Sequence, residues 1–212
     1  MDIRQTDPGG LRQRLSQVLA ARPLLRGLLR ALGAGGFCFV LAGAGLLDGP
    51  VPLALAPVCV LPFGPAAICA YLGAAAGYAV FWGLSAALEP VAAGFLLLAG
   101  SCLLADLVPD EQGWLASAAA GGIYALLGVI FVLRADGGLQ AALQLILRLV
   151  LLTLSVRMLS PAPANARLRP YAAAVCLLAG LVRVQLPFGV PLAVIPAAAI
   201  CVLAAAGPEA LA

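Results

Sequence analysis

The sequence predicts an all-α protein, a polytopic transmembrane helical bundle of about eight membrane segments. Three observations carry that expectation. Hydrophobic residues make up 64% of the 212-residue chain and charged residues only 10%, against roughly half and a quarter in soluble domains. Mean hydropathy is +1.09. Apolar runs of near-span length follow one another through residues 31–206, separated by short polar turns, and no strand-like alternation is long enough for a barrel. The expected organisation is a basic leader (1–30), a transmembrane helical domain (31–206) and a short tail (207–212).

The leader holds Arg4, Arg12, Arg14, Arg22, Arg26 and Arg30, half of the twelve basic residues, all of which are Arg. The positive-inside bias places this end in the cytoplasm. Thr6 or Asp7 can cap a helix with Pro8 at its first position, and Leu11, Leu15, Val18 and Leu19 then share a face. Pro23 breaks that helix, and Arg22, Arg26 and Arg30 follow at i, i+4 spacing. The expectation is an amphipathic, membrane-hugging leader in which Arg12, Arg14, Arg22, Arg26 and Arg30 meet anionic lipid headgroups, at about 1 kcal/mol per Arg. Setting orientation alone is the alternative role for these residues. The leader is too long and too polar for a signal peptide, so the first apolar segment is expected to be retained.

The first segment is Ala31–Leu47, glycine-rich (Gly33, Gly35, Gly36, Gly43, Gly45) and so suited to close packing inside a bundle. Val51–Leu61 is apolar but short and interrupted by Pro52 and Pro57. Pro65–Trp82 and Leu88–Leu107 are clear spans. A polar turn at 109–113 leads to Trp114–Leu133, with Trp114 as an interfacial anchor. Leu139–Leu159 is strongly apolar but carries Arg148 at its middle. A basic stretch, Ser160–Arg169, precedes Tyr171–Val184 and Val190–Ala206.

Two of these segments are doubtful, and parity decides between them. If only one of Val51–Leu61 and Leu139–Leu159 crosses, Arg157, Arg167 and Arg169 lie outside, against the positive-inside bias. Twelve Leu, Ile and Val residues in Leu139–Leu159, at about 0.3–0.6 kcal/mol each, roughly offset the 2.5–3.5 kcal/mol or so for a central Arg. Val51–Leu61 can cross as a broken helix sheltered by protein. Eight segments with both termini cytoplasmic is therefore the expected topology, with six as the fallback.

The candidate polar site is a stripe on the Leu139–Leu159 helix. Gln140, Gln144, Arg148 and Ser155 fall within about 80° of arc at 100° per residue. An intramembrane Arg faces a partner or a wet cavity. Glu89 and Asp106, at segment ends, are the candidate acidic partners; a structural helix–helix contact or a snorkelling Arg is the alternative. Leu61-Pro62-Phe63-Gly64 recurs as Leu186-Pro187-Phe188-Gly189, a weak echo of the inverted repeats of transporters.

Several chemistries are excluded. With no His in the chain, the common metal ligand sets and the usual general base are missing. The cysteines Cys38, Cys59, Cys69, Cys102, Cys176 and Cys201 lie in apolar stretches without a CxxC pair, as small buried hydrophobes do. No P-loop, nucleophile elbow or paired carboxylates occur. No catalytic, cofactor-binding or metal residue is expected, and no enzyme. The basic leader lacks aromatic residues for base stacking, so no nucleic acid is expected as a partner.

The run "VPLALAPVCVLPFG" (Val51–Gly64), the stretch "AAAGYAVFWGLSAALEPVAAGFLLLAG" (Ala74–Gly100), and the long helix with central Arg148 followed by Arg167-Leu168-Arg169 resemble the N-terminal membrane region of stage II sporulation protein E. The resemblance covers most of the chain from about Arg12. It implies a polytopic anchor in the bacterial cytoplasmic membrane that self-associates and meets division proteins at the septum. The phosphatase domain of that family is not present here, so no catalytic or metal residue carries over. The expected function is a non-enzymatic membrane anchor, localisation and oligomerisation module. The competing expectation is a small solute transporter or vitamin-uptake membrane subunit, with a midplane cavity lined by Gln144, Arg148 and a carboxylate.

Overall fold

The computed structural model describes residues 23–46, 49–104, 114–134, 138–161, 166–184, 191–193 and 196. The described residues are built almost wholly of helices: α1 (Pro23–Leu41), α2 (Leu55–Val60), α3 (Pro65–Leu104), α4 (Trp114–Arg134), α5 (Leu139–Leu159) and α6 (Arg169–Leu181). A two-residue antiparallel pair, β1 (Gly45–Leu46) and β2 (Gly49–Pro50), and one 3-10 turn, Pro52–Ala54, lie between α1 and α2. Four helices, α1, α3, α4 and α5, are long and apolar enough to cross a membrane. The eight expected segments are thus not eight long helices among the described residues. Most of Val190–Ala206, the tail 207–212, and leader residues 1–22 lie outside them.

Helix α1 is described from Pro23 onward. Nothing between Pro23 and Leu41 stops the helix. Arg26 and Arg30 therefore sit on α1 itself and not on a separate leader helix, and the first span starts before Ala31. Its C-terminal boundary also moves: after Leu41 the chain turns through the β pair.

Helix α3 contains 40 residues but is not one rod. Gly83 has φ +79° and ψ 163°, a conformation essentially confined to glycine. The chain reverses there. Tyr71 and Phe95, which a continuous helix would hold ~36 Å apart, have ring centroids 6.4 Å apart. Residues 65–82 and 84–104 are therefore an antiparallel hairpin, matching the expected break between Trp82 and Leu88.

Glycine sets the central contact. A Cβ on Gly73 would collide with the Gly35 backbone, and one on Gly77 would meet the Phe39 carbonyl oxygen at 2.6 Å. Gly73 and Gly77 form a GxxxG pair, the spacing that lets helices approach backbone to backbone. Farther along, the Trp82 indole N–H donates to the Ala42 carbonyl at 2.9 Å. Residue numbers rise together on both helices, so α1 and residues 65–82 run parallel.

A parallel pair requires the intervening chain to return along the bundle, and residues 51–63 do so. The Tyr78 hydroxyl donates to the Val51 carbonyl at 3.0 Å. Leu55 reaches the Cα side of Gly94. Cys59 to Phe63 lie beside Leu97, Gly100 and Ser101. The 3-10 turn and α2 thus descend alongside residues 84–104, with Val51 to Val58 all buried. Irregular backbone is tolerated at such depth when protein shelters it.

The remaining helices continue the alternation. Ser117 donates to the Thr153 carbonyl at 2.9 Å, and Gly128 packs on Leu145, so α4 and α5 are antiparallel. Gly180 packs on the Val40 backbone, and Arg169 shares a recess with Arg30, so α6 runs parallel to α1. One end of the bundle carries Arg26, Arg30, Arg157, Arg167 and Arg169. The opposite end carries Arg134 and Arg183, the latter stacked 3.7 Å from the Trp82 ring centroid.

Gly83→Ala should destabilise the protein by about 1–3 kcal/mol, although no atom lies within 4 Å of the added Cβ. Gly122→Ala, equally open but in helical backbone, should be neutral or stabilising by up to ~1 kcal/mol. Thermal unfolding in detergent micelles checks both, and equal shifts would contradict the hairpin.

Candidate functional site

The apolar run Leu139–Leu159 forms α5 with its expected ends, and its polar stripe divides into parts with different surroundings. Arg148 turns inward. Its Nη1 donates to Glu89 Oε2 at 3.4 Å, and the two side chains are only 14% and 18% exposed. Of the two acidic candidates, Glu89 is the partner; Asp106 lies outside the described residues. Glu89 is six residues beyond the Gly83 reversal, or ~9 Å along the helix axis. Pro90 beside it is buried within the same helix.

Two further groups complete the site. The Tyr124 hydroxyl, from α4, lies within hydrogen-bonding reach of both the Glu89 carboxylate and the Arg148 guanidinium. Tyr124 is 1% exposed. Gly49 of β2 lies against the guanidinium so closely that any Cβ there would overlap it. The β pair is therefore a lid of backbone over an ion pair, and glycine is required by proximity. Three helix segments and one turn, separated by up to 99 positions, converge on one charge.

Gln140 and Ser155 do not join this centre. Gln140 is exposed at the start of α5. Ser155 is buried, and its hydroxyl donates back to the Leu151 carbonyl of its own helix. Gln144 is partly buried between them. Of the basic surface residues, Arg26 and Arg30 are exposed on α1, while Arg12, Arg14 and Arg22 lie outside the described residues.

Sequence reasoning found Arg148 and Glu89 but not Tyr124, Tyr78 or Gly49. A signal existed for the tyrosines. Each lies within an apolar span, where a phenol must find a hydrogen-bond partner. Gly49 carried no such signal.

Chemically, the arrangement neutralises a charge. A lone Arg in a bilayer costs several kcal/mol; here the carboxylate supplies the opposite charge and the phenol spans both. No buried side-chain nitrogen or oxygen among the described residues lacks a partner. Among the described residues, one recess is lined by Cys59, Leu97 and Ile123 and another by Arg30, Phe37 and Arg169. Neither is lined by Arg148, Glu89 or Gln144.

Removing one partner strands the other. Glu89→Gln and Arg148→Leu should each destabilise by about 2–4 kcal/mol, near the lower end of the range for broken buried pairs. The double variant Glu89→Leu/Arg148→Leu should be less destabilised than the sum of its single variants, with coupling of about 1–3 kcal/mol. A thermal-unfolding double-mutant cycle measures this, and strict additivity would show that the pair is not coupled.

No family model, curated protein or solved structure matches the chain.

Proposed function

We propose that the chain is a membrane anchor, localisation and oligomerisation module of the bacterial cytoplasmic membrane, akin to the membrane region of stage II sporulation protein E. It acts without chemistry of its own. The observation that carries this reading is the closure of the polar centre: Arg148 is matched by Glu89 and covered by Gly49. A charge held in this way locks helices together. A transporter needs the same charge to face a solute.

The topology proposed with it has eight crossings. Pass follows pass in alternating direction from α1 to α6, and Val190–Ala206 makes the eighth. Five described Arg mark the α1 entry end and two mark the other, so the positive-inside bias makes the entry end cytoplasmic. Both termini then lie in the cytoplasm, where a septal partner or a second copy of the module can be met.

A fluorescent fusion of the whole chain, expressed in a rod-shaped spore-forming bacterium, tests the role. The expected result is enrichment at the division septum, with proximity labelling or energy transfer between differently tagged copies. Arg148→Leu should reduce the amount of folded protein while what remains still localises. Uniform membrane distribution with no self-association, together with solute uptake lost in Arg148→Leu, would replace this reading with the transporter.

A further inference from the structure

The recess at the basic end is not used by the ion-pair site, and its lining is chemically divided. Arg30, from α1, and Arg169, from the first position of α6, stand at its rim. Both are exposed and neither has a hydrogen-bond or ion-pair partner among the described residues. Below them the wall is apolar, formed by Phe37, Val60, Leu61 and Leu159. The recess has a volume of about 480 Å³, within the ~300–1,000 Å³ range of pockets that take small molecules.

Two residues 139 positions apart in sequence are thus brought to one rim over one apolar wall. Among the described residues the rim has a single sign of charge, and Arg26 and Arg167 at the same end add to it. Arg169 also opens a helix, whose first amides favour an anion. The basic end lies at a membrane–water boundary, where basic recesses between helices take anionic lipid headgroups. Cation-lined rim and apolar wall together match an amphiphile whose head is a phosphodiester and whose tail is an acyl chain.

We propose that this recess binds one anionic phospholipid, with its phosphodiester between Arg30 and Arg169 and an acyl chain along Phe37, Val60, Leu61 and Leu159. The site ties α1 to α6 and to the descending 51–63 segment at the cytoplasmic leaflet. The proposal rests on the chain spanning a membrane and is independent of the anchoring role.

The test uses the whole chain in delipidated detergent micelles, titrated with phosphatidylglycerol or with phosphatidylcholine of the same acyl chains. Retention is read by native mass spectrometry. Wild type should retain phosphatidylglycerol in preference. Arg30→Gln/Arg169→Gln should bind it about thirtyfold more weakly, two arginines at the usual strength near an anionic surface. Arg134→Gln, at the opposite end, should leave binding unchanged. A second measurement, independent of how the double variant folds, uses wild type alone: a phosphatidylglycerol carrying a photoreactive acyl chain should cross-link to peptides containing Phe37, Leu61 or Leu159. Equal retention of the two lipids, an unchanged preference in the double variant, or cross-links confined to other faces would each overturn the proposal. Displacement of phosphatidylglycerol by millimolar inorganic phosphate would also overturn it, showing a soluble-anion site in place of a lipid site.

Discussion

The close approach of α1 to residues 65–82 is the constraint on which the rest of the architecture depends. Gly35 meets Gly73, and Gly77 meets Phe39, with no room for a side chain between the backbones. Such an approach is available where glycine removes the Cβ, and in lipid it replaces the hydrophobic drive that soluble helices use. Its direction matters as much as its distance. Two successive long helices that pack in parallel cannot be joined by a turn. The chain must travel back along the bundle, and here it does so through residues 51–63.

That return pass explains the unusual composition of Val51–Leu61. A regular helix has no use for Pro52 and Pro57. A segment enclosed by α1, α3 and α5 can break its helix at Ala54 and end it at Val60, because the surrounding protein excludes lipid from the open backbone groups. Tyr78 then serves a clear purpose: its hydroxyl satisfies the Val51 carbonyl at the point where the segment enters. The β pair above it closes over Arg148, so the return pass and the ion pair share one wall. Packing and charge neutralisation are one structure, built from the same turn.

Much of this was legible in the amino-acid pattern. The ends of α5 and the break after Trp82 follow from apolar run lengths and polar punctuation. Glu89 stood out as a partner because acidic residues are so scarce near these spans. The first span was placed too late because charge, not helix geometry, set the expected boundary: Arg26 and Arg30 resemble a leader, yet both lie on α1. Gly83 was hidden among 24 glycines, since nothing local distinguishes a glycine that must adopt positive φ from one that need not. Tyr124 and Gly49 were invisible as site residues for a different reason. Their roles exist only where distant elements meet, and the stripe on α5 names one side of that meeting alone.

The claim that residues 51–63 cross the bundle is tested most directly by sidedness. In a variant with its six native cysteines replaced, single cysteines are placed at Leu46 and at Phe63, both exposed, and labelled in intact cells with a membrane-impermeant maleimide. Leu46→Cys should react from outside, and Phe63→Cys only after the cytoplasmic face is opened. Reaction of both positions from the same side would contradict the account, because α1 and residues 65–82 could not then run parallel through one membrane.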